Sequence, residues 1–155
     1  MASARKSFIQ TAQDNIRNDL FEGCEAQFFR GMQVIASDPA DILAQATQAL
    51  AETGLCIVVE VQGGPAPIPG DYTDWDARVT VAEHPSISRP GDGKTADVVV
   101  DAVLRRFADG GHFRPKRVVP DHRVEPDGTA VTAIYVIEGT TTILLATTPN
   151  PGGTC

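Results

Sequence analysis

Cysteine, aromatic side chains and positive charge are all scarce in this chain, and each scarcity closes off a class of protein. The three cysteines, Cys24, Cys56 and Cys155, have no metal-type spacing, which argues against a thiolate metal centre. Aromatic residues make up 6% of the 155 positions, with Trp75 the single tryptophan, so any core rests on Val, Ile, Leu and Ala. Lys and Arg number 13 against 20 Asp and Glu, for a formal charge of -7. A general nucleic-acid binder needs a basic surface to neutralise phosphates, and this balance disfavours one. Long apolar runs are missing too. None near the N-terminus suits a signal peptide, and none reaches the ~18 residues of a membrane span. That predicts a protein made and used in a cytoplasm, with no membrane partner.

What remains is a globular composition, 42% apolar and 21% charged. The length suits one domain over 1–155 with irregular tails at about 1–6 and 148–155. Residues 1–80 carry 5 basic and 11 acidic side chains, whereas residues 81–155 carry 8 and 9. Against this acidic background Arg114-Pro115-Lys116-Arg117 stands out as a basic stretch. It reads either as a solvated start of a strand or as a contact for an acidic partner surface.

Apolar residues at Phe8, Ala12, Ile16 and Leu20 recur every four positions and predict a helix from Ser7 to about Phe21. Phe28 and Phe29 read as core or interface anchors before a turn at Gly31, and MQVIA as a short strand. In SDPADILAQATQALAETG, Asp38 is the expected N-cap, Pro39 the first helical residue, and Asp41 a complement to the dipole. Ile42, Leu43, Ala46, Ala49 and Leu50 form its expected buried stripe, and Gly54 its stop. LCIVVEV follows as a strand that buries Cys56. A Pro- and Gly-rich loop follows it, because that composition cannot sustain a ladder. In WDARVTVAE, Trp75, Ala77, Val79 and Val81 point one way, the period of a half-buried strand. KRVVPDHRVEPDGTAVTAIYVIEG reads as a hairpin turning at Glu125–Gly128. Pro120 marks its first arm as an edge or a bulged strand. TTTILLAT is a candidate for one more short strand. The fold class that results is α+β: a mostly antiparallel sheet of four to five strands with two to three helices packed on it.

Gly93-Lys94-Thr95, between a strand and a helix, matches the end of the phosphate-loop pattern G-x-x-x-x-G-K-[ST]. The match stops there. Ser88 stands where the first glycine belongs, Pro90 has no N–H to offer, and Asp92 brings negative charge to the supposed phosphate site. The strand order is also not that of a parallel βαβ series. Helix chemistry explains the stretch better. Ala96, Val99, Val100, Val103, Leu104 and Phe107 fall on one face. Thr95 suits the N-cap and Asp97 the first turn, Arg105 and Arg106 suit the last turn, and Gly110 and Gly111 stop the helix.

Other constellations carry less. DYTDWD crowds three carboxylates without the alternating spacing and central glycine of a calcium loop. His84, His112 and His122 have no cysteine or carboxylate at ligand spacing. Trp75 is either core or a partner anchor. Cys155 is expected to be an exposed tail thiol, inert or able to form an intermolecular disulfide on oxidation. No metal, no cofactor and no catalytic residue is expected.

The series FFRGMQVIASDPADILAQATQALAETGLCIVVEVQGG, a long loop, ARVTVAEHPSISRPGDGKTADVVVDAVLRRF and a closing hairpin resembles the tail terminator (tail completion) and related minor tail proteins of long-tailed phages. The matching positions are Val81, Glu83, Pro85, Ser88, Arg89, Gly93, Lys94, Thr95 and the stripe from Ala96 to Phe107, within roughly Phe28 to Leu145. Ser88 stands where that family more often has Asn, and the Glu125–Gly128 turn and the Pro-rich loop at 65–69 are particular to this chain. The resemblance implies a structural virion protein of the tail or neck, assembled in the host cytoplasm, and not an enzyme. It implies a ring, usually of about six copies, that ends tube polymerisation and joins the tail to the head connector. Its partners would be further copies of itself, the tail tube protein and head–tail connector or neck proteins. Genomic DNA would be only a passenger through the lumen, where inward-facing carboxylates would keep it from being gripped. Ile68, Tyr72, Ser88, Arg89, Arg114, Lys116 and Arg117 are the candidate interface residues, and Cys24 and Cys155 the candidate cross-linking thiols. The alternatives are another neck or head–tail connector protein, or a small nucleotide-binding enzyme using Lys94 and Thr95.

Overall fold

The computed structural model describes residues 6–36, 39–84, 94–124 and 131–145. Helix α1 (Phe8–Leu20) starts where Ser7, in extended conformation, accepts the Gln10 N–H on its hydroxyl at 3.0 Å. It buries Ala12, Ile16 and Leu20, as their spacing predicts, and also Gln13 and Asp19, which no apolar pattern marks. Helix α2 (Ala26–Phe29) is a single turn that delivers Phe29 to the core, with Phe28 edge-on against it at 5.2 Å. Then come β1 (Val34–Ile35), α3 (Pro39–Thr53), β2 (Leu55–Gly63), β3 (Tyr72–Glu83), α4 (Ala96–Ala108), β4 (Arg114–Val124) and β5 (Val131–Leu144).

The five strands form one sheet in the order β1-β2-β3-β5-β4. Only β1 pairs in parallel, with β2, and the other pairs are antiparallel. The expected α+β class therefore holds. TTTIL is not a separate strand. It is the second half of β5, which stays paired with β3 as far as Leu144 opposite Tyr72. Pro120 does lie on an edge strand, and β4 carries a bulge between Pro115 and Arg117. Gly139 makes the crossing at that bulge possible, because a Cβ there would stand 2.1 Å from the Arg114 carbonyl oxygen.

The sheet has two unlike faces. On the first, Ile57, Val59, Ala77, Val79, Val81 and Ile137 pack against α1 and α4, which supply Ile16, Leu20, Val99, Val103 and Phe107. On the second, Cys56, Val58 and Ala82 pack under Ala49 of α3, with Ile42, Ala46 and Leu50 around it. Two-sided cover explains why β2 begins as an unbroken apolar run rather than an alternating one. Leu43, expected in the buried stripe of α3, is 73% exposed. The seam of α3 on the sheet is narrow, and one residue beyond Ile42 turns the side chain about 100° away from it. Asp38, the expected cap of α3, lies outside the described residues, as do Glu125–Gly128, Ser88, Arg89 and Cys155.

A buried carboxylate ties the first face together. Asp19 Oδ2 accepts the His112 backbone N–H at 2.7 Å and lies 2.8 Å from His112 Nδ1. Arg106 Nη2 sits 3.7 Å from Asp19 Oδ1, and its Nη1 donates to the Gly110 carbonyl at 2.8 Å. Gly111, at φ +138°, passes so close that a Cβ would stand 2.9 Å from Asp19 Oδ2. The histidine that showed no partner at ligand spacing thus has one 93 residues away in the chain. Asp19→Ala would leave the His112 N–H without its acceptor and the largely covered Arg106 guanidinium without its carboxylate, and should lower unfolding free energy by about 1–3 kcal/mol, measured as a shift in urea midpoint.

Candidate assembly surface

The Gly-Lys-Thr stretch is used internally. Lys94 Nζ donates to the Phe28 carbonyl at 2.6 Å and lies 4.7 Å from the centre of the Phe28 ring. Thr95 occupies the N-cap position of α4, but its hydroxyl bonds the Asp97 carboxylate instead of a helix N–H. That bond holds the Asp97 carboxyl below its ordinary range. The capping role that Thr95 was expected to fill falls to Glu83, the last residue of β3, whose buried Oε1 accepts the Ala96 N–H at 2.8 Å. A free anion would be drawn to the positive end of this helix dipole, and the chain's own carboxylate already stands there.

Of the candidate interface residues, Ile68, Tyr72, Arg114, Lys116 and Arg117 are described, and they fall on the second sheet face and its borders. Tyr72 is 75% exposed and pairs directly with Leu144, also exposed; Ile68 stands exposed in the loop beside them. The loop is pinned there by Gly70 N–H to the Leu145 carbonyl at 2.8 Å and Asp71 N–H to the Ile68 carbonyl at 3.0 Å. Leu144 also borders a cleft of about 560 Å³ against the start of α1. Trp75 serves the fold from the opposite face. It meets Phe8 edge-on at 5.2 Å, donates Nε1–H to the Pro65 carbonyl at 2.7 Å, and packs so flat on Gly64 that a Cβ there would lie 2.4 Å from the indole.

Next to this apolar rim runs a row of charges set by strand register. Glu60 stands opposite Arg78, Arg78 opposite Glu138, and Glu138 opposite Arg117. The row alternates in sign across four strands, and its two outer contacts close at 3.1 Å, Arg78 Nε to Glu60 Oε1 and Arg117 Nε to Glu138 Oε1. Two same-face positions nearer the rim, past exposed Asp76, Arg114 Nη2 and the Thr142 hydroxyl both donate to Asp74 Oδ1, at 2.9 and 3.0 Å. Of the basic stretch, Arg114 and Arg117 therefore complete pairs within the chain, while exposed Lys116 sits at the bulge of β4. Glu60, Arg78, Glu138 and Leu144 were not among the expected site residues. Their grouping depends on register between strands up to about 80 residues apart, and only the hairpin pairing could have hinted at it.

The two sheet edges differ as well. Along β1, Gln10 Nε2 and Arg17 Nε donate to the Ala36 and Val34 carbonyls, so side chains of α1 cover that edge. The β4 edge is open but bears Pro115 and Pro120, which carry no N–H. Among the described residues no group of three or more His, Cys, Asp or Glu is arranged to hold a metal ion, and no helix is long and apolar enough to cross a membrane. Comparison of the chain with protein-family models and with curated proteins gave no match.

Two expected outcomes test this assignment of roles. Glu83→Ala and Lys94→Ala should each lower stability by about 1–3 kcal/mol, while magnesium-ATP should leave the melting midpoint of the unsubstituted protein in place. Burial pushes the Cys56 thiol up to about 11, whereas Cys24 is exposed. In a Cys155→Ser background, a maleimide at pH 8 should therefore label Cys24 within minutes and spare Cys56 until the chain is unfolded.

Proposed function

We propose that this chain is a structural assembly protein of a long-tailed phage, a tail terminator that rings the head-proximal end of the tail, ends tube polymerisation and presents a surface to the head connector. The observation that carries the reading is the exposed rim of Ile68, Tyr72 and Leu144 beside a sheet face that carries a row of cross-strand ion pairs. Pairing lowers, without removing, the cost of taking those ions out of water, and the apolar rim supplies the favourable burial. The internal use of Lys94, Thr95 and Glu83 supports a structural role over a nucleotide site. The resemblance across Phe28 to Leu145 supplies the kind of assembly. A terminator works by contact alone, so no catalytic group and no cofactor is assigned. A different neck or head–tail connector protein would use the same surface.

In this reading the protein belongs to the virion, at the tail or neck, after assembly in the host cytoplasm. Its partners are further copies, the tube protein and the connector, and DNA passes through the lumen. Native mass spectrometry with and without magnesium-ATP tests it. The expected result is a species near about six times 16.5 kDa that ATP does not alter. A monomer that gains the mass of one nucleotide would overturn the reading in favour of an enzyme built on Lys94.

A further inference from the structure

Hydrogen bonds at the far side of the sheet set the orientation of every residue in β4. In β2, Ile57 donates its N–H to the Gln33 carbonyl at 2.9 Å, and Val61 donates its own to Gln13 Oε1 at 3.1 Å. The odd-numbered residues there thus turn their backbone groups toward the β1 side. In an antiparallel ladder opposed pairs alternate between bonded and non-bonded, and a residue bonded to one neighbour is non-bonded to the other. Ile57 opposite Val81 is therefore a non-bonded pair, Val81 bonds Tyr135, and Tyr135 leaves Pro120 unbonded. The same alternation runs on to Gly139 and leaves Pro115, opposite it, unbonded as well. Both prolines of β4 turn their ring nitrogens to the open edge.

Their spacing alone would not do this. Pro115 and Pro120 are five residues apart, and in a regular strand an odd step points two backbones opposite ways. One proline would then stand where β5 needs an N–H. The extra residue at Lys116, between Pro115 opposite Gly139 and Arg117 opposite Glu138, shifts the alternation by one and brings both prolines outside. Without them the edge would be a good template, because β4 runs for 11 residues and carries β-branched Val118, 37% exposed, next to Val119. Past the bulge the outward positions are Val118, Pro120, His122 and Val124. Pro120 interrupts them, so the donors of Val118 and His122 stand about 14 Å apart instead of the ~7 Å of a regular ladder. A strand laid there would also leave its carbonyl opposite each proline without a donor. The other edge is closed by different means. Gln10, Gln13 and Arg17, on one line of α1, bond the Ala36 carbonyl, the Val61 N–H and the Val34 carbonyl.

We infer that the Lys116 bulge and the two prolines act together as a guard that keeps β4 from pairing with a strand of another copy of this chain. Copies then meet through side-chain surfaces and not by extending one sheet from molecule to molecule. Gly139 belongs to the guard, because the bulge needs its missing side chain. The guard acts on the single chain and on an assembly alike, so it does not rest on the ring reading.

Residue-resolved amide hydrogen exchange tests the orientation in the unsubstituted protein. The N–H groups of Val118 and His122 should exchange at least ~10-fold faster than those of Val119 and Asp121, which bond β5. Equal rates at the four, or protection at Val118 and His122, would overturn the inference. The guard itself is tested by Pro115→Thr together with Pro120→Thr, which restores both outward N–H groups at positions that are not buried. With circular dichroism unchanged, sedimentation velocity should show species heavier than those of the unsubstituted protein at the same concentration. Exchange at Val118 and His122 should slow at least ~10-fold in the same sample. A folded double variant with unchanged sedimentation would overturn the guard. Pro120→Thr alone is the second variant, read the same way if the pair impairs folding. The ring is judged separately. A ring in which Val118 and His122 still exchange fast supports the guard, and protection of those amides within a ring overturns it while the ring reading stands.

Discussion

One buried carboxylate decides where the last hairpin begins. Asp19 sits at the end of α1, out of reach of bulk water, and an ion in that position must be compensated on all sides. Arg106 reaches it from α4, and His112 from the turn that follows α4. The chain can make the second approach because Gly111 has no side chain. From His112 the path is set: Phe113 enters the core edge-on to Phe107 at 5.4 Å, the His112 carbonyl accepts the Thr141 hydroxyl, and Arg114 starts β4 against β5. The register of β4 then places Arg117 opposite Glu138 and Arg114 within reach of Asp74. The pattern on the second sheet face is thus the far end of an arrangement that begins with one aspartate.

Much of the architecture was legible in the chain because local signals agreed with the tertiary contacts. The α4 stripe, the alternation in β3, the left-handed stop at Gly54 and the edge position of Pro120 all express periodicity or backbone limits that one stretch of sequence contains. Leu43 misled because periodicity marks a broad apolar arc while the seam on the sheet admits a narrow one. Thr95 misled because capping chemistry is read from neighbours in sequence, and the actual cap, Glu83, arrives from a strand. TTTIL was separated from β5 because polar threonines look like an interruption; paired with β3 they continue it.

The surface was legible only in part. Ile68, Tyr72 and the basic stretch could be singled out as apolar or charged residues in a loop or strand of otherwise plain composition. Leu144 could not, because a leucine near the end of an apolar run reads as core. The row from Glu60 to Arg117 exists only after four strands have been set side by side. The phosphate-loop resemblance failed for a complementary reason. Its letters are right at Gly93 to Thr95, but the helix terminus behind them is already served by an acidic side chain from the same fold.

The paired row also bears on how such a surface meets a neighbour in salt. Ions held at 3.1 Å from their partners within one chain project little field beyond a Debye length, roughly 8 Å at physiological ionic strength. Long-range steering is correspondingly small, and encounter proceeds at the slower pace of uncharged patches that must find their orientation by collision. Complexes formed on this face would owe their lifetime to fit and to the apolar rim, and would hold across changes of ionic strength. Selectivity for one neighbour over another would then reside in shape, which a change of medium does not screen.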